Sequence, residues 1–227
     1  MSELILAVDT TGEHGSLALL RDGELLEEAL IDAPTGYSHL LYGALEALLA
    51  RHAVKLTEIA CFASACGPGT FTGVRVSLAC VKGLAEALGK PAVGVSNLEA
   101  LARFGSAELR GAVLDARRGD LYGAVYNSEG RAVTEEVVSA PAAWLASLPA
   151  GVTEFVTTDF ALETLLRTLL EASLQTPARV ITVPHAMAAQ VARIAAERLA
   201  RGEVCDPAAL DANYVRRSDA QLFWKEY

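Results

Sequence analysis

The chain has 227 residues, of which 52% are hydrophobic and 21% are charged, with a formal net charge of −9 and a pI of about 5.0. Such a chain can bury a sizeable core in one large or two small domains, and its acidic balance disfavours nucleic-acid binding on its own surface. Because it has no apolar run of membrane-spanning length, no basic N-terminal signal and no cysteine spacing typical of a metal site, we expect a cytoplasmic protein with buried, reduced thiols.

The first half of the chain predicts three strands followed by alternating helices and strands. An apolar strand at residues 4–9 ends at an acid, and a glycine-containing turn then leads into an alternating strand that ends before Asp22-Gly23. After it we predict a strand at 25–31, a helix at 37–52, a strand at 59–66, a helix at 74–89, a strand at 91–95 and a helix at 96–104.

A glycine-rich loop separates the strand at 59–66 from the helix at 74–89. Its glycines permit backbone angles that other residues avoid, and its proline fixes one φ. The N–H groups at the start of the helix suit an anion, a buried backbone carbonyl or a partner's side chain, and no lysine follows the last glycine as a Walker motif requires. We assign the loop a structural role. Its residues are Gly67, Pro68, Gly69, Thr70, Thr72, Gly73 and Arg75.

The second half of the chain repeats the order of the first. Residues 4–25 and 112–132 each contain an apolar strand ending at an acid, a glycine-containing turn and an alternating strand, which indicates a duplicated unit. After the second copy we predict a strand near 133–138, a helix near 141–147, a strand at 153–158, a helix at 161–173, a strand at 178–183 and a helix at 185–201. The sequence therefore predicts an α/β fold of two facing lobes, each a βββαβαβα module. The first lobe comprises residues 1–108, and the second, reduced lobe comprises residues 109–227, with its C-terminal tail packing back.

Two lobes of this kind resemble the architecture of actin, Hsp70 and the sugar kinases. In those proteins the acidic strand-turn of each lobe meets the phosphates and magnesium of ATP, so the corresponding turns are candidates for a residual nucleotide-like cleft. An acid at the end of a strand is also a common turn former, and we expect the two arginines of the second turn to form an exposed hairpin tip. The candidate residues are Asp9, Thr10, Thr11, Gly12, Asp115, Arg117 and Arg118.

The helices at 37–52 and 74–89 each carry two apolar stripes at helical spacing. One stripe is a normal core face, whereas two stripes predict burial on both sides. The second stripe contains small residues and is covered either by other elements of this chain or by a partner's helices, and amphipathicity leaves both open. The residues that would form the partner interface, if a partner covers the second stripe, are Leu40, Leu41, Ala44, Leu45, Ala47, Leu48, Val76, Cys80, Gly83 and Ala87.

The chain resembles the bacterial TsaB (YeaZ) family over nearly its full length. The matching pieces are ILAVDTTGEHGSLAL, GPGTFTGVRVSLACVKGLAEALGKPAVGVSNLEALA, LDARRGDLYGAVY and NYVRR. The resemblance implies a subunit of the machinery that places threonylcarbamoyl on N6 of an adenosine in tRNA. It implies pairing through the two helices with the catalytic paralogue TsaD, or with a second copy when the chain is alone. It also implies a further partner, the ATPase TsaE, and contact with tRNA only through the complex.

Two departures from metal-binding and ATP-binding relatives bear on the role of this chain. TsaD-like chains carry a His-x-x-x-His stretch that holds a metal, and here Asn97 and Leu101 occupy those two places. Relatives that bind ATP have a glycine-rich turn near the adenosine, where this chain has TTDFA at 157–161. We therefore expect a non-catalytic scaffold that binds no metal or cofactor by itself, with ATP, magnesium and metal on partner subunits. The alternative is an active ATP-dependent small-molecule kinase of the same architecture.

Overall fold

The computed structural model describes residues 3–33, 36–172 and 178–216, which form two compact units. Unit 1 comprises Met1–Ala100 and Pro184–Ala212, and unit 2 comprises Leu101–Val183 and Asn213–Tyr227. The part of the predicted C-terminal tail beyond residue 216 lies outside the described residues. Among the helices of the described residues, none has both the length and the apolar character that crossing a membrane requires.

Strands and helices follow one another in the predicted order. Short 3-10 turns occur at Tyr37–His39, Leu56–Glu58 and Pro207–Ala209. The strands and α-helices, in chain order, are β1 (Leu4–Asp9), β2 (His14–Arg21), β3 (Glu24–Asp32), α1 (Leu41–Arg51), β4 (Ile59–Ala65), α2 (Phe71–Leu88), β5 (Ala92–Val95), α3 (Asn97–Ala102), β6 (Leu109–Asp115), β7 (Leu121–Asn127), β8 (Val137–Ser139), α4 (Pro141–Ala146), β9 (Val152–Thr157), α5 (Phe160–Ala172), β10 (Arg179–Thr182) and α6 (Ala188–Ala200).

The two units contain sheets of identical topology, which confirms the predicted duplication. Unit 1 has the order β3-β2-β1-β4-β5, and unit 2 has the corresponding order β8-β7-β6-β9-β10. In both sheets the first three strands pair antiparallel, and the last two add parallel to the first strand. The second copy is reduced as predicted, because β8 has 3 residues where β3 has 9, and α4 has 6 where α1 has 11.

The central strand of unit 1 is buried on both faces. All six residues of β1 are buried, as expected for a continuous apolar run flanked by strands on both sides. Leu4, Leu6 and Val8 pack into one core with the apolar stripes of α1 and α2. Because side chains alternate along a strand, Ile5 and Ala7 lie on the opposite face, which also needs a cover.

Helix α6 packs in unit 1, whereas we predicted that this helix, at 185–201, belongs to the second lobe. The N–H of Ala188 donates to Ser16 Oγ (3.0 Å), and the N–H of Ala189 donates to Glu28 Oε1 (2.8 Å). Near its other end Arg198 Nη1 donates to the carbonyl of Gly94 (2.6 Å). The domain boundary in that prediction is therefore wrong. The sequence pattern of an alanine-rich helix is compatible with packing against either sheet. The helix packs in unit 1 because the second apolar face of β1 and β2 needs an element to cover it.

The core of unit 2 is built around Trp144 of α4. Its ring packs edge-on against Phe155, with ring centroids 5.8 Å apart. Gly123 lacks a side chain where a Cβ would lie 2.5 Å from the indole, and Gly111 gives similar space on β6. The small residues of β6 and β7 thus let a six-residue helix cover this sheet.

Ala192→Asp tests the assignment of α6 to unit 1. Ala192 is fully buried, so the substitution places an unpaired carboxylate against the sheet and should lower the free energy of unfolding by about 3 kcal/mol or more. Arg193→Asp, at an exposed position of the same helix, should cost less than about 1 kcal/mol. Urea denaturation of both variants measures this, and equal losses would show that α6 does not bury that face.

Candidate functional site

The acidic turn after β1 and the glycine loop after β4 meet at one edge of the unit 1 sheet. Since β1 and β4 are parallel neighbours, their carboxyl ends lie side by side. The N–H of Thr70 donates to the carbonyl of Thr11 (2.7 Å), and Thr10 Oγ1 donates to the carbonyl of Gly73 (2.7 Å). Of the alternatives for the helix N-terminus, a buried backbone carbonyl is therefore the one observed at Thr70.

Two glycines of the loop are required by this close approach. A Cβ at Gly73 would lie 2.0 Å from the carbonyl oxygen of Thr10, and a Cβ at Gly69 would lie 2.6 Å from that of Thr11. Thr70 caps α2, because its Oγ1 accepts a hydrogen bond from the N–H of Gly73 (3.2 Å), and the helix consequently begins at Phe71. These contacts agree with the structural role predicted for the loop.

The carboxylate of Asp9 forms its hydrogen bonds within unit 1. Its Oδ1 accepts hydrogen bonds from the N–H (2.9 Å) and the Oγ1 (2.6 Å) of Thr11. Burial raises the pKa of Asp9 and outweighs the hydrogen bonds of Thr11 and Asn97, while the charge of Glu28 raises it further. The group thus acts as a buried acceptor that organises its own turn.

Asn97 joins the glycine loop to the acidic turn. Its Nδ2 donates to Thr11 Oγ1 (2.5 Å), and its Oδ1 accepts from the N–H of Gly67 (2.9 Å). Its own N–H donates to the carbonyl of Gly67 (2.8 Å), and the side chain is only 1% exposed. An amide supplies a donor and an acceptor together, which this bridging position demands. Leu101, which with Asn97 occupies the two positions that we compared with a His-x-x-x-His stretch, is fully buried.

Most of the first-turn residues that we predicted for a residual cleft are buried, in contrast to our expectation of accessible side chains. Asp9, Thr10 and Thr11 are between 0% and 2% exposed, because their polar groups turn inward to the loop. Gly12 is exposed, and its carbonyl accepts a hydrogen bond from the hydroxyl of Tyr37 (2.9 Å). Burial raises the pKa of that tyrosine to about 12. This turn of unit 1 is a packed structural element.

The corresponding turn of unit 2 is an exposed hairpin tip, as predicted for Arg117 and Arg118. Asp115 Oδ1 accepts from the N–H of Arg117 (2.8 Å), and the N–H of Asp120 donates to the carbonyl of Arg117 (3.1 Å). Arg117 and Arg118 have φ of 65° and 58°, a left-handed conformation that costs a side-chain-bearing residue about 1–2 kcal/mol. Two successive arginines in this conformation are unusual, because Gly, Asn or Asp adopts it at lower cost.

The turn before α5 is also closed by its own residues. Asp159 Oδ1 accepts from the N–H groups of Ala161 (2.7 Å) and Leu162 (3.0 Å), so a carboxylate of the chain already caps the helix. Phe160 follows with 74% exposure. The turn at 157–161, where the resemblance led us to look for an adenosine-binding turn, thus carries a capping acid and a large ring.

The helix pair presents an exposed face that is smaller than the one we predicted. Leu41, Leu45, Leu48 and Cys80 lie in the core of unit 1, so the assignment of these four to a partner interface is wrong. They face the sheet or the neighbouring helix, and burial raises the pKa of the Cys80 thiol to about 11. The remaining predicted residues, with Tyr42 and Gly43, are half-buried or exposed. We call them the α1–α2 face: Leu40, Tyr42, Gly43, Ala44, Ala47, Val76, Gly83 and Ala87.

Sequence reasoning missed two members of this face. Tyr42 is 59% exposed and interacts with Cys80, which links α1 to α2. A Cβ at Gly43 or at Gly83 would meet nothing within 4 Å. Glycine inside a helix costs about 1 kcal/mol relative to alanine, so an unforced helical glycine is the signal that could have identified Gly43.

Histidines come together in the structure in a way that their sequence positions do not indicate. The rings of His14 and His185, both in unit 1, have centroids 5.1 Å apart. Within the described residues, no group of three or more His, Cys, Asp or Glu side chains is arranged to hold a metal ion.

Comparisons with known proteins give a consistent result. The family model described as "TsaD: tRNA N6-adenosine threonylcarbamoyltransferase" matches residues 32–203. The chain is 34% identical over 129 residues to the tRNA threonylcarbamoyladenosine biosynthesis protein TsaB of Escherichia coli (strain K12), covering 55% of each chain. It is 33% identical over 136 residues to the protein of the same name from Bacillus subtilis (strain 168), covering 59% of each. These matches span little more than half the length of the curated relatives.

A solved structure extends the similarity to nearly the whole chain. YeaZ from Pseudomonas aeruginosa superposes with a TM-score of 0.79 at 29% sequence identity, covering 93% of this chain and 99% of that one. The α/β class, which we predicted from the repeated pattern of strands and helices, and the resemblance to the TsaB (YeaZ) family are both confirmed.

Gly73→Ala and Gly83→Ala, in the same helix, should act in opposite directions on stability. Gly73→Ala drives a methyl group into the Thr10 carbonyl and should destabilise the chain by about 2–3 kcal/mol. Gly83→Ala adds a methyl group in open space and should stabilise the isolated chain by up to about 1 kcal/mol. Urea denaturation at a concentration where the chain is monomeric measures both, and equal effects would contradict the loop geometry.

Asn97→Ala should lower the free energy of unfolding by about 1–3 kcal/mol, because the buried N–H of Gly67 then lacks its acceptor. Hydrogen exchange at the Gly67 amide should accelerate in parallel. Thr72→Ala, at an exposed position in the first turn of α2, is the matched control and should change stability by less than about 0.5 kcal/mol. Unchanged stability of the Asn97 variant would show that the bridge formed by the Asn97 side chain does not stabilise the fold.

Proposed function

This chain belongs to the TsaB (YeaZ) family, and we propose that it is a scaffold subunit of the tRNA N6-threonylcarbamoyladenosine synthesis complex, without catalytic activity of its own. In this role it binds and activates the catalytic subunit TsaD and, together with it, recruits TsaE. ATP, magnesium and the metal reside on those partner subunits, and tRNA is contacted through the complex.

The observation that carries this proposal is the internal use of Asp9 and Asn97. In an active site, a carboxylate and a polar side chain at a strand end would point toward a ligand. Here both are about 1% exposed, and their hydrogen bonds go to Thr11 and Gly67 of the same unit. A scaffold subunit can retain such residues for the hydrogen bonds that hold the loop in its conformation, since it needs the shape of the loop but no catalytic group in it.

The α1–α2 face supports a role in partner binding. It combines an exposed Leu40 (43%) and Tyr42 (59%) with two helical glycines that nothing in unit 1 requires. Small residues on adjacent helices allow a second pair of helices to approach closely, as in tight helix packing. The two glycines are therefore explained if the backbone of a partner's helices lies against Gly43 and Gly83.

A TsaD-family protein fits this face for a structural reason. The family model for TsaD covers residues 32–203, a range that includes both α1 and α2. A paralogue with the same helix pair can face this one about an approximate two-fold axis, with equivalent surfaces in contact. A second copy of this chain can pair in the same way when the paralogue is absent, which supports homodimers as the state of the isolated chain.

A kinase activity is less well supported. Asp9 is buried, and the N-terminus of α5 is capped by Asp159 and followed by the exposed Phe160. An ATP-dependent kinase would need an accessible catalytic acid and an adenosine site lined by backbone. An assay for magnesium-ATP turnover by the purified chain distinguishes the two functions.

Gly83→Arg and Val76→Glu should leave the isolated chain folded and abolish its association with TsaD. Each places a charge in the centre of the proposed contact, where an unpaired buried charge costs about 3 kcal/mol or more, or at least about a hundredfold in Kd. Gly83→Ala should weaken binding although it stabilises the monomer. Titration calorimetry with TsaD from the same organism gives the Kd values.

Leu165→Glu is the matched control, because Leu165 is an exposed apolar residue (43%) on α5 of unit 2. This variant should bind TsaD as the unmodified chain does. A tRNA modification assay with TsaD and TsaE, with and without each variant, then links binding to activation. Full affinity in both charged variants would remove the α1–α2 face from the proposal.

A further inference from the structure

Two histidine side chains meet at the surface of unit 1, where β2 begins and the chain leads into α6. The rings of His14 and His185 have centroids 5.1 Å apart, with an angle of 48° between their planes, and both residues are exposed. Among the residues that the structure describes, neither ring takes part in a hydrogen bond or an ion pair. The ring nitrogens are therefore accessible to a ligand from solution.

Buried hydrogen bonds hold the backbone on both sides of this pair. Ser16 follows His14 by two residues along β2 and so lies on the same face of the strand. Its Oγ accepts the N–H of Ala188 (3.0 Å), and both residues are fully buried. The start of α6 is thus fixed against the sheet three residues after His185, and the two rings meet because of this packing.

The separation of the rings suits a metal ion that both imidazoles bind. A ring nitrogen binds a first-row divalent metal at about 2.0–2.1 Å, and ligand angles of about 90–109° then place two ring centroids roughly 4.5–5.2 Å apart. The observed separation of 5.1 Å lies within this range. Imidazole is a good ligand for Zn²⁺, Cu²⁺ and Ni²⁺, whereas Mg²⁺ and Ca²⁺ prefer oxygen. The chemistry of the pair therefore favours a transition metal.

The charges around the pair favour a cation. Asp32 lies directly opposite His14 in the pairing of β2 with β3, so the two side chains share one face of the sheet. Glu28, on the same strand as Asp32, accepts the N–H of Ala189 (2.8 Å) and so offsets the positive end of the α6 dipole. Within the described ranges no third His, Cys, Asp or Glu joins the pair as a ligand, which leaves the other coordination positions to water.

We propose that His14 and His185 form a surface site for one divalent transition-metal ion, with Zn²⁺ as the ion to be tested. The site is separate from Asn97, whose side-chain amide is used within the fold, and the inference does not depend on the proposed function. A bound ion joins the first residue of β2 to the segment that leads into α6. Because the unfolded chain does not bring these two histidines together, the ion stabilises the folded state.

His14→Ala and His185→Ala test the site directly. Titration calorimetry with Zn²⁺ should show one ion bound per unmodified chain, and each substitution should reduce the affinity at least about tenfold, because only one imidazole remains. The full chain is used without a polyhistidine tag, which would itself bind the metal, and after treatment with a chelator. Without metal, both variants should unfold at the same urea concentration as the unmodified chain, since both positions are exposed.

A second measurement locates the effect of the ion in the fold. Zn²⁺ at about a hundred times its Kd should raise the Tm of the unmodified chain by several degrees. It should also slow hydrogen exchange at the amides of Ala188 and Ala189, because their hydrogen bonds lie next to the site. Neither effect should occur in the two histidine variants.

His39→Ala is the matched control, because His39 is another exposed histidine of unit 1 and lies in the turn Tyr37–His39. This variant should keep the affinity for Zn²⁺ and the slower exchange at the start of α6. Full affinity in either His14→Ala or His185→Ala would overturn the proposal, since the metal would then bind elsewhere or to a single side chain. An equal loss of affinity in the control, or no stoichiometric binding to the unmodified chain, would overturn it as well.

Discussion

The side-chain amide of Asn97 connects the glycine loop before α2 to the acidic turn after β1, and the remaining structure of unit 1 described below depends on this connection. It bonds at one end to the loop that opens α2 and at the other to the threonine that orients Asp9. Two loops that follow separate strands thereby become one packed corner with its polar groups satisfied, as buried polar groups require. The side chain of Asn97 therefore serves as an internal connection between the two loops.

This corner fixes where α2 begins, and α2 in turn supplies half of the α1–α2 face. Thr70 caps the helix, Gly73 lies against Thr10, and the apolar stripe of the helix packs against the sheet. The opposite side, with Gly83 and Ala87, is left exposed as a consequence of that docking. If the proposed partner binds the α1–α2 face, the residues for stability and for binding lie on opposite sides of one helix, and for this reason we expect a single glycine substitution to raise stability and weaken binding.

Local pattern was sufficient for much of the fold. The duplicated strand-turn-strand segments identified both sheets, and the apolar periodicity of the helix at 74–89 identified a core face of α2, because periodicity and turn residues report directly on these features. Pattern was insufficient where a residue's role depends on distant partners. Cys80 is covered by the neighbouring helix, α6 covers the sheet of unit 1, and Asp9 is hydrogen-bonded inward, and each of these outcomes depends on contacts across the chain.

The return of α6 to unit 1 has a consequence for biosynthesis. Ser16 meets Ala188 across 172 residues of sequence, so the sheet of unit 1 is synthesised long before the helix that covers one of its faces. Unit 2 apart from its C-terminal segment lies between these two parts, and its sheet is complete earlier in translation. Contacts so distant along the chain close slowly, and the exposed apolar face is the stage at which a nascent chain of this kind is most open to aggregation or to chaperone capture.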